Sequence, residues 1–262
     1  MMNALTQQRV VGKPVDRIDG TQKVTGTATY AYEHAVEDIT YAFPVQSTIA
    51  KGRVVSVDSG AAQAIPGVIT VLTHENAPRL KIQQGELAVL QSDAVAYRGQ
   101  FVALAVAETI EVARQAAEAI VVRYVEQPHS VVLRADSSDL YKPEHVNPNY
   151  ETDTASGDVE AALAQAPVSI DHTYTTPAEH NNPLEPHATI ARWSGDGVTL
   201  YDSNQGPHRV RDVIAEAFGL EPERVRVISP FVGGAFGSKG AVHPHVILAV
   251  MAAQVVGRPV KL

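Results

Sequence analysis

The sequence contains no cysteine and a single tryptophan. Without cysteine the chain forms no disulfide, holds no zinc or iron-sulfur cluster through thiolates, and offers no thiol nucleophile. Any redox centre it serves is supplied from outside its own side chains. Basic residues are also in deficit. Lys plus Arg number 21 against 29 Asp plus Glu, a net charge of −8, and no basic run is present to neutralise a phosphate backbone. Nucleic acid is therefore excluded as an expected partner. No stretch approaches the roughly 18 unbroken apolar residues of a membrane span. The segment Met1 to Val11 lacks a basic region leading into an apolar core. The expectation is no membrane association and cytoplasmic residence, with the periplasm open only to a chain exported with a signal-bearing partner.

What the sequence does hold is ample apolar content, 45% of 262 residues, enough for one large core or two ordinary ones. Tyr41 to Ala50, Arg53 to Val57 and Val68 to Leu72 read as strands, with a short helix Ala61 to Ile65 closed by Pro66-Gly67. Phe101 to Val106 reads as a buried strand, Thr109 to Ala119 as a helix and Ile120 to Val125 as a β-branched strand. Strand, helix and strand of these lengths predict a mixed α/β (α+β) domain over 20–130, after a lead-in over 1–19. Residues 131–155 turn polar and proline-containing, as a linker does.

A second α/β unit is expected over 156–262. Asp158 caps a helix from Val159 to Ala164, and Val168, Ile170, His172 and Tyr174 alternate as on one face of a strand. Strands Ala188 to Trp193 and Val198 to Asp202 flank the turn Ser194-Gly195-Asp196-Gly197, a hairpin signal. Pro207 opens a helix whose apolar positions Val210, Val213, Ile214, Ala217 and Phe218 share one face, and Gly219 stops it. Val246 to Val256 is apolar almost all round, which predicts a helix buried on most sides. Val260-Lys261-Leu262 falls where the next strand should begin, so the unit is expected to be truncated, with another polypeptide completing it.

Between the strand Arg224 to Ile228 and that last helix lies Phe231-Val232-Gly233-Gly234-Ala235-Phe236-Gly237-Ser238-Lys239-Gly240. Glycines let backbone approach a bound group and take positive φ without steric cost, and exposed amides beside a helix start suit an anionic ligand. The order Gly-Ser-Lys-Gly displaces the lysine of a Walker A loop, and the spacing fails the dinucleotide pattern. The residues alone leave open a flexible strand-to-helix turn.

Several segments resemble one family, the molybdenum hydroxylases related to xanthine dehydrogenase and aldehyde oxidase. Gly12-Lys13-Pro14-Val15-Asp16-Arg17-Ile18-Asp19-Gly20, Lys23-Val24-Thr25-Gly26 and Ala28-Thr29-Tyr30 resemble the opening of their large subunit. Tyr97-Arg98-Gly99-Gln100-Phe101-Val102-Ala103 and Ala107-Glu108-Thr109 are similar to its hammerhead domain. Glu185-Pro186-His187-Ala188, Ser203-Asn204-Gln205 and the glycine loop are similar to the start of its molybdopterin-binding domain. The resemblance implies that Gln205 hydrogen-bonds a ligand on molybdenum. It also implies that Gly233, Gly234, Ala235, Phe236 and Gly237 lie against the molybdenum-molybdopterin, with amide donors holding its negative ligands. Ala235 replaces a usual third glycine, and its methyl is expected to crowd a position needing positive φ.

The same resemblance implies that no catalytic residue lies in this chain, because the general-base glutamate falls beyond its end. Implied partners are the C-terminal portion of the molybdenum-binding subunit, an FAD-binding subunit and an iron-sulfur subunit. The implied reaction oxidises an aldehyde or N-heterocycle with oxygen from water. An alternative is a truncated or split-gene product acting only as a scaffold, without cofactor or activity.

Of the remaining candidates, His243-Pro244-His245 invites a metal reading, but i, i+2 histidines do not share a helix face and no H-E-x-x-H occurs. A helix-initiating role is expected for both. His187 is expected to order its loop, Glu185 to anchor that loop rather than transfer protons, and Lys239 to be structural or solvated. Ser203, His208 and Asp202 lack the G-x-S-x-G elbow of a hydrolase.

Overall fold

The computed structural model describes residues 11–145 and 150–262; the N-terminal ten residues of the lead-in and part of the 131–155 linker lie outside the described residues. The chain divides into two compact units. One comprises residues up to Pro128 together with Asn181–Leu262, and the other is His129–His180.

The larger unit is built on a seven-stranded mixed sheet. In chain order its strands are β1 (Thr40–Gln46), β3 (Val68–Thr73), β5 (Phe101–Ala107), β7 (Thr189–Ser194), β8 (Gly197–Asp202), β9 (Val225–Ile228) and β10 (Val260–Lys261). The order across the sheet is β3-β5-β1-β10-β7-β8-β9. A smaller sheet, β4-β2-β6, uses β2 (Gly52–Asp58), β4 (Ala94–Val95) and β6 (Val121–Glu126). The two regions read from sequence as successive α/β units thus share one sheet. The joint is β10, which pairs in parallel with β1 and antiparallel with β7.

Small and large residues alternate along β5 and decide what lies on each face. Ala103 and Ala105 face α3 (Ile110–Ala119), which buries Ala116 and Ala117 against them; alanine on both sides permits close approach. Leu104 and Val106 point the other way, into the core built around α6 (Pro244–Val256). That helix buries Ile247, Leu248, Val250 and Met251 completely. The Trp193 indole donates to the Val250 carbonyl at 2.9 Å, locking α6 onto β7. α5 (Pro207–Phe218) has Pro207 in its first turn and ends at Gly219, in the left-handed region at φ 66°, as the pattern of Pro and Gly dictates. Two short helices complete this unit, α1 (Gly20–Thr25) and α2 (Gly60–Gln63).

In the smaller unit, Asp158 caps α4 (Val159–Gln165) by accepting from the Ala161 amide at 3.0 Å. The strand expected through Val168, Ile170, His172 and Tyr174 does not form. Val168, Ile170 and Tyr174 are exposed, and no strand of the described residues pairs with them. Alternation predicts which face a strand would bury, but a strand also needs a neighbour for its amides and carbonyls, and here there is none. Among the described residues no helix is long and apolar enough to cross a membrane.

Candidate functional site: a glycine loop latched to Glu185

Four chain segments meet at one end of the large sheet. Residues 181–188 lead into β7, Ser203-Asn204-Gln205 follow β8, residues 229–243 follow β9, and Leu262 follows β10. Antiparallel pairing of β7 with β8 and β10, and parallel pairing of β8 with β9, bring these ends together. Leu262 and Thr189 exchange backbone hydrogen bonds at 2.9 and 3.0 Å.

The segment carrying Gln205 is fixed from within. Buried Asp202 accepts from the Thr189 hydroxyl and, at 2.8 Å, from the Asn204 side-chain amide. Burial raises the Asp202 pKa, and those two donors partly offset it. Asn204 in turn accepts from the Gly206 amide at 3.0 Å, and the Ser229 hydroxyl donates to the Asn204 carbonyl at 3.2 Å. The Gln205 amide donates to the Lys239 carbonyl at 2.9 Å, so Gln205 lies directly against the glycine loop. Its side chain is exposed, and Oε1 lies 3.7 Å from where a Cβ on Gly240 would sit.

Positive φ falls at Gly234 (99°), Phe236 (53°) and Gly237 (95°). Ala235 does not take it and is buried, so its methyl causes no backbone strain; the expected conflict there is replaced by one at Phe236. A left-handed aromatic residue carries a conformational cost of order 1 kcal/mol or more. The Phe236 ring is nonetheless 72% exposed, so packing of the ring does not compensate that cost within this chain. The Asn181 side-chain amide donates to the Phe236 carbonyl and holds the bend. Among the described residues, the amides of Gly234, Ala235, Phe236 and Gly237 donate to no protein acceptor, and neither does the Gln205 carboxamide. Unpaired amides gathered in one bend form a donor-rich surface suited to an anion.

Glu185 ties this loop down. Its Oε2 accepts from the Gly233 amide at 2.6 Å, the Ser203 hydroxyl at 2.8 Å and Lys239 Nζ at 2.9 Å. Burial alone would raise the Glu185 pKa, but the Gly233 amide, Lys239 and Ser203 outweigh it and hold the carboxyl below its ordinary range. Lys239, placed in sequence as structural or solvated, is buried and structural. Beside the loop, Tyr30, Tyr32, Leu184, His187, Gly233 and Leu262 line a cleft of about 550 Å³.

His243 is the residue preceding Pro244 at the start of α6, with extended backbone, and its Nε2 bonds the Ser238 carbonyl. His187 stands edge-on to His243 and His245 at ring separations of 5.1 and 5.4 Å. Burial first, then the neighbouring His187, His243 and Lys239, lower the His245 pKa to about 3. The unfolded chain protonates this imidazole near its ordinary value, whereas the fold keeps it neutral down to about 3. Unfolded chain therefore binds the extra proton, and stability falls as pH drops below about 6.5 toward that value. Urea midpoints at about pH 7 and about pH 5 should show this loss, and His245→Gln should reduce the difference between them.

Sequence reasoning marked the N-terminal strap by resemblance but predicted no structure for it. α1 and the following turn at Ala31–Glu33 place Tyr30 at 5.9 Å from Phe231 and His34 against Tyr201, tilted, at 4.4 Å. Only the left-handed Gly26, at φ 72° after Thr25, signalled a helix end there.

Residues 25–128 match the family described as aldehyde oxidase and xanthine dehydrogenase, a/b hammerhead domain, and residues 141–262 match the molybdopterin cofactor-binding domain. The chain is 40% identical over 263 residues to the aldehyde oxidoreductase molybdenum-binding subunit PaoC of Escherichia coli (strain K12), an alignment covering 99% of this chain and 35% of that subunit. It is 33% identical over 266 residues to the carbon monoxide dehydrogenase large chain of Hydrogenophaga pseudoflava, covering 91% of this chain and 33% of that one. The crystal structure of quinoline 2-oxidoreductase from Pseudomonas putida 86 shares the fold, with a TM-score of 0.78 at 24% identity over 95% of this chain and 34% of that chain. The chain spans about a third of the length of these curated relatives. With a hammerhead region and a molybdopterin-binding region matched in turn along its length, the chain belongs to the aldehyde oxidase and xanthine dehydrogenase family.

Proposed function

We propose that this chain forms one wall of a molybdenum-pterin site in a cytoplasmic hydroxylase complex that oxidises aldehydes or N-heterocycles. The observation that carries the reading is the donor set: the unpaired amides of Gly234, Ala235, Phe236 and Gly237 beside the unpaired Gln205 carboxamide. These residues fit an anionic cofactor, because each presents an N–H where the chain itself provides no acceptor. When bound, the molybdenum-pterin supplies the two-electron redox chemistry that places an oxygen atom from water on the substrate carbon.

The work of this chain is positioning. Gln205 would donate to a ligand of the metal, and the loop backbone from Gly233 to Gly237 would support the pterin. Gly234 and Gly237 keep the loop's backbone uncovered by side chains, which close approach requires. The general base comes from the remainder of the subunit, and FAD and iron-sulfur partner subunits carry the electrons away.

Oxidation of an aromatic aldehyde in ¹⁸O-labelled water by the complex assembled with its partner subunits tests the reading. Label in the carboxylate product is expected. Label arriving from molecular oxygen, or no turnover of either an aromatic aldehyde or an N-heterocycle by a molybdenum-loaded complex, would contradict it.

A further inference from the structure

Gly233 and Lys239 lie on opposite flanks of the glycine loop, and both are held by Glu185. The Gly233 amide and Lys239 Nζ donate to the same oxygen, Oε2, at 2.6 and 2.9 Å. Lys239 Nζ also donates to the Glu185 carbonyl at 2.9 Å, and the Glu185 amide donates to the Gly233 carbonyl at 3.0 Å. Side-chain exposure is 0% for Lys239 and 12% for Glu185. The second carboxylate oxygen, Oε1, is buried with no donor.

Stability alone does not account for this pair. Desolvating two ions costs several kcal/mol each, and apolar replacements of similar volume are often as stable. Two charges joined by directional bonds do something apolar groups do not: they fix a distance and an orientation. The Lys239 ammonium is spent on Glu185 and sealed from solvent, so it does not reach a ligand on the exposed side of the loop.

We propose that Glu185 and Lys239 are positioning residues that latch both flanks of the glycine loop, setting where its free amides lie and so governing cofactor retention without touching the cofactor. The retention part rests on the functional reading above; the latch itself does not. The same geometry explains why Ser203 matters. Its hydroxyl donates to Glu185 Oε2 at 2.8 Å, linking the latch to the segment that carries Gln205.

Hydrogen-deuterium exchange of the full chain, with molybdenum content of the assembled complex, tests both parts. In Lys239→Met, the hydrogen-bonded amides that frame the loop, Gly233, Ser238, Gly240 and Gln205, should exchange at least about tenfold faster, as loss of a charge-assisted hydrogen bond implies, while β5 and α6 stay protected. Glu185→Gln keeps the volume and carries the same prediction should Lys239→Met fail to fold. The double variant Glu185→Gln with Lys239→Met should be no worse than either single change, since each single change already breaks the charge pair and leaves the other member unpaired. Lys239→Arg should recover part of the protection. Molybdenum content should fall in step with loop exchange. Unchanged loop exchange in both single variants overturns the latch. Loss of molybdenum with unchanged exchange overturns it too, because Lys239 would then act on the cofactor directly. A wild-type complex without molybdenum, whose loop still loosens in the variants, overturns the cofactor reading and leaves the latch standing.

Discussion

Gly233→Ala is expected to expel the cofactor from an otherwise assembled complex, lowering molybdenum per complex by at least about tenfold, the consequence of about 1–3 kcal/mol of overpacking at the loop. The added Cβ would sit 2.5 Å from Glu185 Cβ and 3.4 Å from both Glu185 Oε2 and Tyr30 Cε1. Real Cβ atoms do not approach so closely, and the obstacle is no flexible tip. Glu185 Cβ adjoins a backbone whose amide is bonded to the Gly233 carbonyl at 3.0 Å. Relief therefore means moving either the loop, which carries the free amides, or the 181–187 segment, which holds it through Asn181 and Glu185. Gly233 does not have positive φ, so the effect is steric rather than conformational. Metal analysis beside a thermal melt separates the two consequences. A large loss of molybdenum with a small shift in melting temperature is the expected pattern.

The second large effect lies in the core. Leu248→Ala should destabilise the chain by about 2–5 kcal/mol, the range for leucine truncation at a site that does not collapse. Leu248 is fully buried within α6, and Ile247, Ala249, Val250 and Met251 are buried beside it, so no exposed face of the helix can shift to fill the void. α6 contacts β3, β5, β7, β8 and β10, both the hammerhead strands and those of the molybdopterin region. A cavity there therefore weakens the joint between the two regions matched by separate families. Chemical denaturation should show a lower midpoint with little change in the slope. A shift no larger than that of a surface substitution would contradict the central place given to α6.

Much of this was legible in the sequence because local rules decide it. α5 begins at Pro207 and stops before a left-handed Gly219, and α6 is apolar all round because the fold surrounds it. The hairpin of β7 and β8 follows from its Gly-containing turn. Gln205 and the glycine loop, read together by resemblance, do lie together.

What was illegible depends on partners distant in the chain. Nothing in spacing says that β10 enters between β1 and β7, since its register with Thr40 joins residues more than two hundred positions apart. The threefold acceptance by Glu185 unites Ser203, after β8, with Gly233 and Lys239 on the two flanks of the glycine loop, which periodicity does not reveal. At Ala235 the sequence suggested strain because a glycine was expected, whereas the bend places its positive φ on the residues either side. At Val168 to Tyr174 alternation was present and a pairing partner was not, so the pattern had no structure to express.

The central claim is that the bend from Gly233 to Gly237, with Gln205 beside it, holds a molybdenum-pterin. Its most direct test is the molybdenum and pterin content of the wild-type complex purified with its partner subunits. The account predicts metal and pterin in equimolar amounts with this chain; a fully assembled complex containing neither would contradict it.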